Sequence, residues 1–342
     1  MKGARTAVLF VLLLLFSSLS LVVLSINKGD LNTALNNEES PMEVIVPLGQ
    51  ANVAGFQEGS IYTNTTLSSS LEMDSHTCAI LDNGDLKCWG SDVKGQLGDG
   101  GSNTNTNAPS STAIDLGTGR TAVAVSAGAY HTCAILDNGD LKCWGWDDYG
   151  QLGDGGTNTD TNAPSSTAID LGTGRTAVAM STGETHTCAI LDNGEAKCWG
   201  RDLFGQLGDG GSNTDTNTPS STAIDLGTGR TAVAVDAGDY HTCAILDNGD
   251  MKCWGYDFKG QLGDGGSNTN TNAPSSTAID LGTGRTAVAV SAGAYHTCAI
   301  LDNGDLKCWG WDDYGQLGDG GTNTDTNAPS STAIDLGTGR TA

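Results

Sequence analysis

A chain of 342 residues is long enough for one large domain or two ordinary ones. Only 16% of the residues are charged and 49 are glycine, which favours many short strands joined by turns over a helical protein. The 40 acidic residues outnumber the 16 basic ones, and the net charge of −24 argues against a nucleic-acid partner, because such a surface repels phosphates.

The first 25 residues predict export. Lys2 and Arg5 precede an apolar run from Ala7 to Ser25, as in a signal sequence. The run is long for a cleaved signal and lacks a small-residue cleavage site, so a signal peptide and an uncleaved anchor, an N-terminal apolar helix, both remain open. In either case the rest of the chain is expected outside the cytoplasm, extracellular or at the cell surface, and membrane contact is expected only through this segment if it is uncleaved.

Residues 26–70 are polar and do not repeat, so we interpret them as a spacer. Asn64 begins a glycosylation sequon, which an exported chain could use. Residues 71–342 form the third predicted segment, a tandem array of repeats.

The repeat is marked by histidines spaced 55 residues apart, and these are all the histidines of the chain. They are His76, His131, His186, His241 and His296. Each opens a phrase that reads HTCAILDNGDLKCWG in the first copy, followed by GQLGDG, a stretch rich in Thr and Asn, and PSSTAIDLGTGRTAVAV.

Four strands are predicted in each repeat: TAIDL around Ile114, TAVAV at 121–125, HTCAIL and LKCWG. The last two are joined by a hairpin turn at Asn83-Gly84, where glycine supplies a positive φ. Four antiparallel strands at a period near 50 residues favour the blades of a β-propeller, an all-β fold.

The phrase HTCAILDNGDLKCWG, the following GQLG and the upstream AGAY resemble the regulator of chromosome condensation repeat family from about Met73 to Ala342. The resemblance implies a propeller, usually of seven blades, in a family that includes a nucleotide exchange factor, a β-lactamase inhibitor and uncharacterised surface proteins. This chain departs from the family in having a cysteine pair per repeat and only five histidine phrases. Because it ends at Ala342, where a TAVAV strand should begin, we expect five to six blades and a C-terminal truncation, with an incomplete ring and a five-blade closure both left open.

The cysteines are predicted to form one disulfide per hairpin. If the turn is type I with a glycine bulge, Leu81 faces Asp85, and counting outward places Cys78 opposite Cys88 at an open pair, where Cα atoms approach closely. The predicted bonds are Cys78–Cys88, Cys133–Cys143, Cys188–Cys198, Cys243–Cys253 and Cys298–Cys308. Zinc is the alternative, but His76 and one cysteine pair supply only three ligands without a short C-x-x-C knuckle.

Residues that vary between repeats predict the binding site. They lie just before each histidine and just after each CWG, and the strand directions bring both groups to one rim of the propeller. The side chains proposed to bind are Tyr130, Trp146, Asp148, Tyr149, Arg201, Phe204, Tyr240, Tyr256, Phe258, Lys259, Tyr295, Trp311 and Tyr314. Neutral variation of exposed loops is the alternative.

The remaining candidates favour structural roles. The histidine and the CWG tryptophan recur in every repeat, so we expect the histidine to bond a neighbouring loop and the tryptophan to pack between blades. Constant turns on the opposite rim should bring Arg120 and its copies near aspartates as weak surface pairs. The loop at 99–107 has oxygens for calcium but lacks the order of a known calcium loop, so no metal or cofactor is assigned.

These observations favour an extracellular binding protein that recognises a protein or a glycan through the variable rim. An extracellular enzyme, such as a hydrolase, is the alternative, although no catalytic constellation unique to one repeat is visible. Nucleotide exchange on a small GTPase conflicts with export and with the acidic charge.

Overall fold

The structure is a computed structural model that describes residues 68, 69 and 76–342. The predicted N-terminal helix, the spacer apart from Ser68–Ser69, and Asn64 lie outside the described residues. Within the described part the regular elements are strands, and no helix there is long and apolar enough to cross a membrane. The strands are β1 (Ser68–Ser69), β2 (His76–Ile80), β3 (Leu86–Gly90), β4 (Ala122–Ala127), β5 (His131–Leu136), β6 (Leu141–Gly145), β7 (Ala177–Thr182), β8 (His186–Leu191), β9 (Ala196–Gly200), β10 (Ala232–Ala237), β11 (His241–Leu246), β12 (Met251–Gly255), β13 (Ala287–Ala292), β14 (His296–Leu301) and β15 (Leu306–Gly310).

The strands form five antiparallel sheets of three consecutive strands each, beginning with β1-β2-β3 and ending with β13-β14-β15. The predicted all-β architecture is confirmed. The prediction of four strands per blade is wrong, because TAIDL forms no strand in any repeat.

Local side-chain bonds explain the missing strand. Ser110 Oγ accepts the amide of Thr112 at 3.2 Å, and Asp115 Oδ1 accepts the amide of Gly117 at 2.9 Å, so side chains take amides that a ladder would use. Only Ile114 donates its amide to the preceding hairpin, at 2.9 Å from the carbonyl oxygen of Leu86. TAIDL therefore flanks the outer edge of the sheet before it rather than opening the sheet after it.

Four apolar cores join consecutive sheets. In the first core, Ile80 and Leu86 of one hairpin pack with Val125 and Leu136 of the next sheet, and the indole of Trp144 is fully buried among them. Trp144 Nε1 donates to the carbonyl oxygen of Gln96 in the preceding repeat at 3.0 Å. The predicted inter-blade role of the tryptophan is confirmed. Within the described residues, no core joins the fifth sheet to the first.

Each hairpin turn has the predicted geometry. The amide of Leu81 donates to the oxygen of Asp85 at 2.8 Å, and Gly84 has φ +81°. Cys78 lies directly opposite Cys88, with 4.1 Å between their Cα atoms. All five predicted disulfides are present, so the thiolates required by the zinc alternative do not exist.

The histidines connect neighbouring sheets. His131 Nε2 lies 2.8 Å from Thr187 Oγ1, and the Thr187 hydroxyl donates to the carbonyl oxygen of Gln151 at 2.8 Å. The hydroxyl proton is thereby committed, so His131 must donate from Nε2. The partner is a strand residue of the next sheet, not the loop predicted from the sequence. Burial lowers the pKa of His131 to about 3, which keeps the ring neutral.

The first strands of successive sheets, β4, β7, β10 and β13, contact one another in chain order. Ser126 Oγ accepts the amide of Thr182 at 3.1 Å, and Ser181 Oγ accepts the amide of Ala237 at 3.0 Å. The next such acceptor is the carboxylate of Asp236, whose Oδ2 lies 2.6 Å from the amide of Ala292. These side chains fix the position of one sheet relative to the next.

Candidate binding rim

The structure brings the two variable groups of each repeat together. The loop before each histidine and the loop after each CWG are joined by backbone hydrogen bonds, such as Trp146 N to Tyr130 O at 2.9 Å and Tyr256 N to Tyr240 O at 2.9 Å. The bond exists because β5 and β6 are antiparallel, with His131 opposite Gly145, so the two loops leave the same end of the hairpin. We call the surface formed by these paired loops the variable rim.

Around Trp146, aromatic and cationic side chains pack together. The ring of Trp146 contacts Tyr130 at 5.3 Å and Tyr149 at 5.4 Å between centroids, both edge to face. Lys94 Nζ lies 5.3 Å from the Trp146 centroid, and the guanidinium of Arg201 lies 4.5 Å from the Tyr149 centroid. Variable residues of three successive repeats thus contact one another.

The central part of the rim is a cluster of four rings, Phe204, Tyr240, Tyr256 and Tyr295. We call this cluster the aromatic cup. Neighbouring centroids in it are 4.6–6.0 Å apart, and the shortest distance is between Phe204 and Tyr256. Together with Arg201, the four rings line an open depression of about 250 Å³.

The aromatic contacts continue into the fifth repeat. Trp311 lies 5.6 Å from Tyr295 and 5.2 Å from Tyr314, and Lys259 Nζ lies 5.7 Å from its centroid. Phe258 contacts Tyr256 at 6.4 Å but is 67% exposed, and Tyr314 is 82% exposed. Asp148 is exposed at the edge of the rim and makes no aromatic contact in the described structure.

The loop below the rim is fixed by a buried aspartate in each repeat. Asp147 Oδ1 accepts the amide of Leu152 at 2.9 Å. The pKa of Asp147 is raised to about 7, chiefly by burial and also by the nearby carboxylates of Asp154 and Asp160, while the hydrogen bond from the Leu152 amide acts against the shift. Asp160 also pairs with Lys94 at 3.1 Å, which links the rim loops of adjacent repeats.

Two acidic residues at the rim are absent from the predicted site. Tyr240 has a side-chain hydrogen bond with Glu184 and another with Tyr295, and burial, with the Glu184 charge, raises the pKa of the Tyr240 hydroxyl. The charge of Asp239 likewise helps raise the pKa of Tyr295. The available signal was their position, since Glu184 and Asp239 stand at the variable site before the histidine where the second and fifth repeats have alanine.

The opposite face carries the constant turns. There Arg120 pairs with Asp137 at 3.4 Å, as predicted, and the pair recurs in the following repeats at 3.3–3.4 Å. Both side chains of each pair are partly exposed, so these pairs contribute little to stability. Among residues 76–342 no group of three or more His, Cys, Asp or Glu side chains is placed to hold a metal ion.

Comparison with known sequences gives a family match over most of the chain. The RCC1-like domain profile matches residues 53–341. The chain is 35% identical over 248 residues to the ultraviolet-B receptor UVR8 of Arabidopsis thaliana, covering 72% of this chain and 53% of that protein. It is 29% identical over 248 residues to the human E3 ubiquitin-protein ligase HERC2, covering 72% of this chain but 5% of the ligase.

Solved structures share the fold. Human WBSCR16 is similar with a TM-score of 0.65 at 22% identity, covering 76% of this chain and 65% of that protein. Yeast RCC1 (Prp20), solved in complex with Kap60, gives a TM-score of 0.63 at 20% identity, covering 76% of this chain and 59% of that protein. At these identities the likeness supports the fold alone.

Proposed function

The chain belongs to the RCC1-like domain family, and from this premise we propose that it is a binding protein whose variable rim recognises a protein partner. One observation carries the proposal. Aromatic and cationic side chains that differ between repeats form a continuous band along one rim, whereas the frame that holds them is nearly constant. Trp, Tyr and Arg are the usual anchors of protein interfaces.

The similar proteins are consistent with this role. Yeast RCC1 (Prp20) has been crystallised with a protein partner, Kap60, and has the same fold. The named activities of the curated relatives are not transferred, since the chain spans about half of the plant receptor and a small fraction of the ligase. We propose a non-catalytic role, because the buried histidines are committed to inter-sheet hydrogen bonds.

We further propose that the protein functions outside the cytoplasm, extracellular or at the cell surface. The apolar segment at residues 7–25 and the use of every cysteine in a disulfide support this location, because disulfides persist in oxidising compartments. The strongly acidic composition leaves nucleic acid an unfavourable partner.

A direct test is capture by the immobilised full chain of surface proteins from the cells that produce it, with a glycan array in parallel. The variant with Trp146→Ala and Trp311→Ala should keep its disulfides and lose at least tenfold in affinity for the captured partner. The control Arg230→Ala, on the opposite face, should bind as the parent does. Unchanged capture by the double variant would show that the variable rim is not the binding surface. Binding to glycans alone would show that the ligand is a glycan and not a protein.

A further inference from the structure

The aromatic cup is the one place on the described rim where four rings surround an open depression. Phe204 and Tyr256 come from loops after CWG, and Tyr240 and Tyr295 come from loops before the histidine, so three repeats contribute to it. The rings meet at interplanar angles from 33° to 88°, so they line the depression in different orientations. The quadrupole of an aromatic ring makes the electrostatic potential over its face negative, so ring faces attract cations.

Carboxylates add to this negative character. Glu184 is hydrogen-bonded to the Tyr240 hydroxyl, and its negative charge helps to raise the pKa of that hydroxyl, so an acidic neighbour lies beside the Tyr240 ring. Asp239 lies close enough to Tyr295 to act on it electrostatically. Alanines stand at the corresponding positions of the second and fifth repeats, and the first repeat has Asp74, so the acidic pair distinguishes the third and fourth repeats from their immediate neighbours.

Elsewhere on the rim the chain supplies its own cations. Lys94 lies over Trp146, Arg201 over Tyr149 and Lys259 over Trp311. Among the described residues, no lysine or arginine of this chain lies over the four cup rings. Arg201 borders the depression, but its guanidinium faces Tyr149. The cup is therefore the part of the rim where an outside cation can make the contact that internal cations make at Trp146 and Trp311.

We propose that the aromatic cup accepts the alkylammonium side chain of a lysine on the protein partner, with the aliphatic stem against the rings and the ammonium group near Glu184 and Asp239. The proposal rests on the proposed function and specifies the chemistry of one contact. Charge complementarity favours it, because a chain with 40 acidic and 16 basic residues attracts basic segments over long range.

The test uses the full chain and a short neutral peptide with one central lysine, with binding followed by NMR of the tyrosine rings. We expect a dissociation constant on the order of 1 mM. The same peptide with norleucine, which keeps the stem but lacks the charge, should bind at least about tenfold more weakly. Trimethylation of the lysine should retain binding, since the cation is preserved.

Variants locate the contact. Tyr256→Leu should weaken lysine-peptide binding about tenfold, and Glu184→Gln should weaken it about fivefold and reduce its salt dependence. Tyr295→Leu provides a second cup variant if Tyr256→Leu does not fold. Arg230→Ala on the opposite face should bind as the parent does.

The proposal is overturned if the norleucine peptide binds as tightly as the lysine peptide, if neither cup variant changes the affinity, or if no binding is seen at about 10 mM peptide. Its failure is distinguishable from failure of the proposed function. If the Trp146 and Trp311 variants lose the captured partner while the lysine peptide does not bind, only the cup chemistry is wrong. If the peptide binds at the cup while those variants keep the partner, the rim-wide function is wrong.

Discussion

His131 Nε2 donates to Thr187 Oγ1 across 2.8 Å between adjacent sheets, and the same hydrogen bond recurs from His76, His186 and His241 to the threonine of the following sheet at 2.6–2.8 Å. The hydroxyl of each threonine in turn donates a hydrogen bond to the glutamine carbonyl oxygen in the GQLG loop of the preceding repeat. The array is thus held together by a polar connection beside each apolar core, and this connection requires neutral histidine.

The first prediction concerns acid. Burial lowers the pKa of His131, His186 and His241 to about 3, below the 6.5 of a free imidazole. Between these values the unfolded chain binds protons that the folded chain does not, so stability falls as the pH falls, by up to about 1.4 kcal/mol per pH unit for each histidine. Guanidinium unfolding without reductant should show this loss between pH 7 and pH 5.

The His186→Asn variant isolates the histidine contribution. It should be less stable than the parent at pH 7 but lose less on going to pH 5. The two proteins must be compared by the slope of the free energy of unfolding against pH. Buried aspartates with a raised pKa, such as Asp147, act in the opposite direction, because the stability that they contribute is lost as the pH rises. Parallel slopes for the two proteins would show that His186 does not resist protonation in the fold.

The second prediction compares two glycines in one loop. Gly98 and Gly100 have nearly equal φ values of +71° and +69°, but a Cβ on Gly98 would enter the indole of Trp144, whereas a Cβ on Gly100 meets nothing within 4 Å. Gly100→Ala should therefore cost only the strain of the left-handed backbone, about 1–2 kcal/mol. Gly98→Ala should cost about 1–3 kcal/mol more, because the core must shift. Equal losses in denaturant unfolding would contradict the packing of Trp144.

The third prediction concerns the disulfides. Removing one of them with Cys188→Ala and Cys198→Ala should cost about 3 kcal/mol, the chain entropy of the short loop that it closes. Thermal unfolding with and without reductant provides the measurement. Reductant should lower the melting temperature of the parent more than that of the double variant, and alkylation of the unreduced, denatured parent should label no cysteine. Labelled thiols would contradict the pairing.

The fourth prediction concerns Asp236, which stands where other repeats have Ser126, Ser181 and Ser291. Its pKa is raised to about 6, because burial outweighs the lowering effect of the hydrogen bonds from Ala292 N and Ser181 Oγ. Because the folded pKa exceeds the unfolded value, the stability that Asp236 contributes is present below about pH 4 and is lost as the pH rises through 6. Relative to the parent, Asp236→Ser should gain about 2–3 kcal/mol more stability at pH 8 than at pH 4. A gain independent of pH would refute the raised pKa.

The hairpins were predictable because their determinants are local. The Asn-Gly turn sets the register, and the register places Cys78 opposite Cys88 without reference to the rest of the fold. The variable rim followed from the same antiparallel geometry. The TAIDL strand was predicted wrongly because its apolar alternation is real, with Ile114 and Leu116 in the core, but Ser110 and Asp115 bond the local amides and prevent a ladder.

Contacts between repeats could not be predicted from the sequence. The threonine that accepts from each histidine lies 56 residues further along the chain, and its identity depends on how one sheet is placed against the next. The same holds for Glu184, whose partner Tyr240 belongs to the following repeat. The spacing of residues within one repeat determines how its strands pair into a sheet. Contacts between repeats depend instead on how each sheet is rotated relative to the next, which that spacing does not define.

The central claim is that the variable rim, and no other face, contacts the partner. The most direct measurement is photo-crosslinking with a benzophenone amino acid placed at Phe258 on the rim or at Val178 on β7, both of which are more than half exposed. We expect covalent capture of the same partner from position 258 and none from position 178. Crosslinks of equal yield from both positions, or from position 178 alone, would contradict the claim.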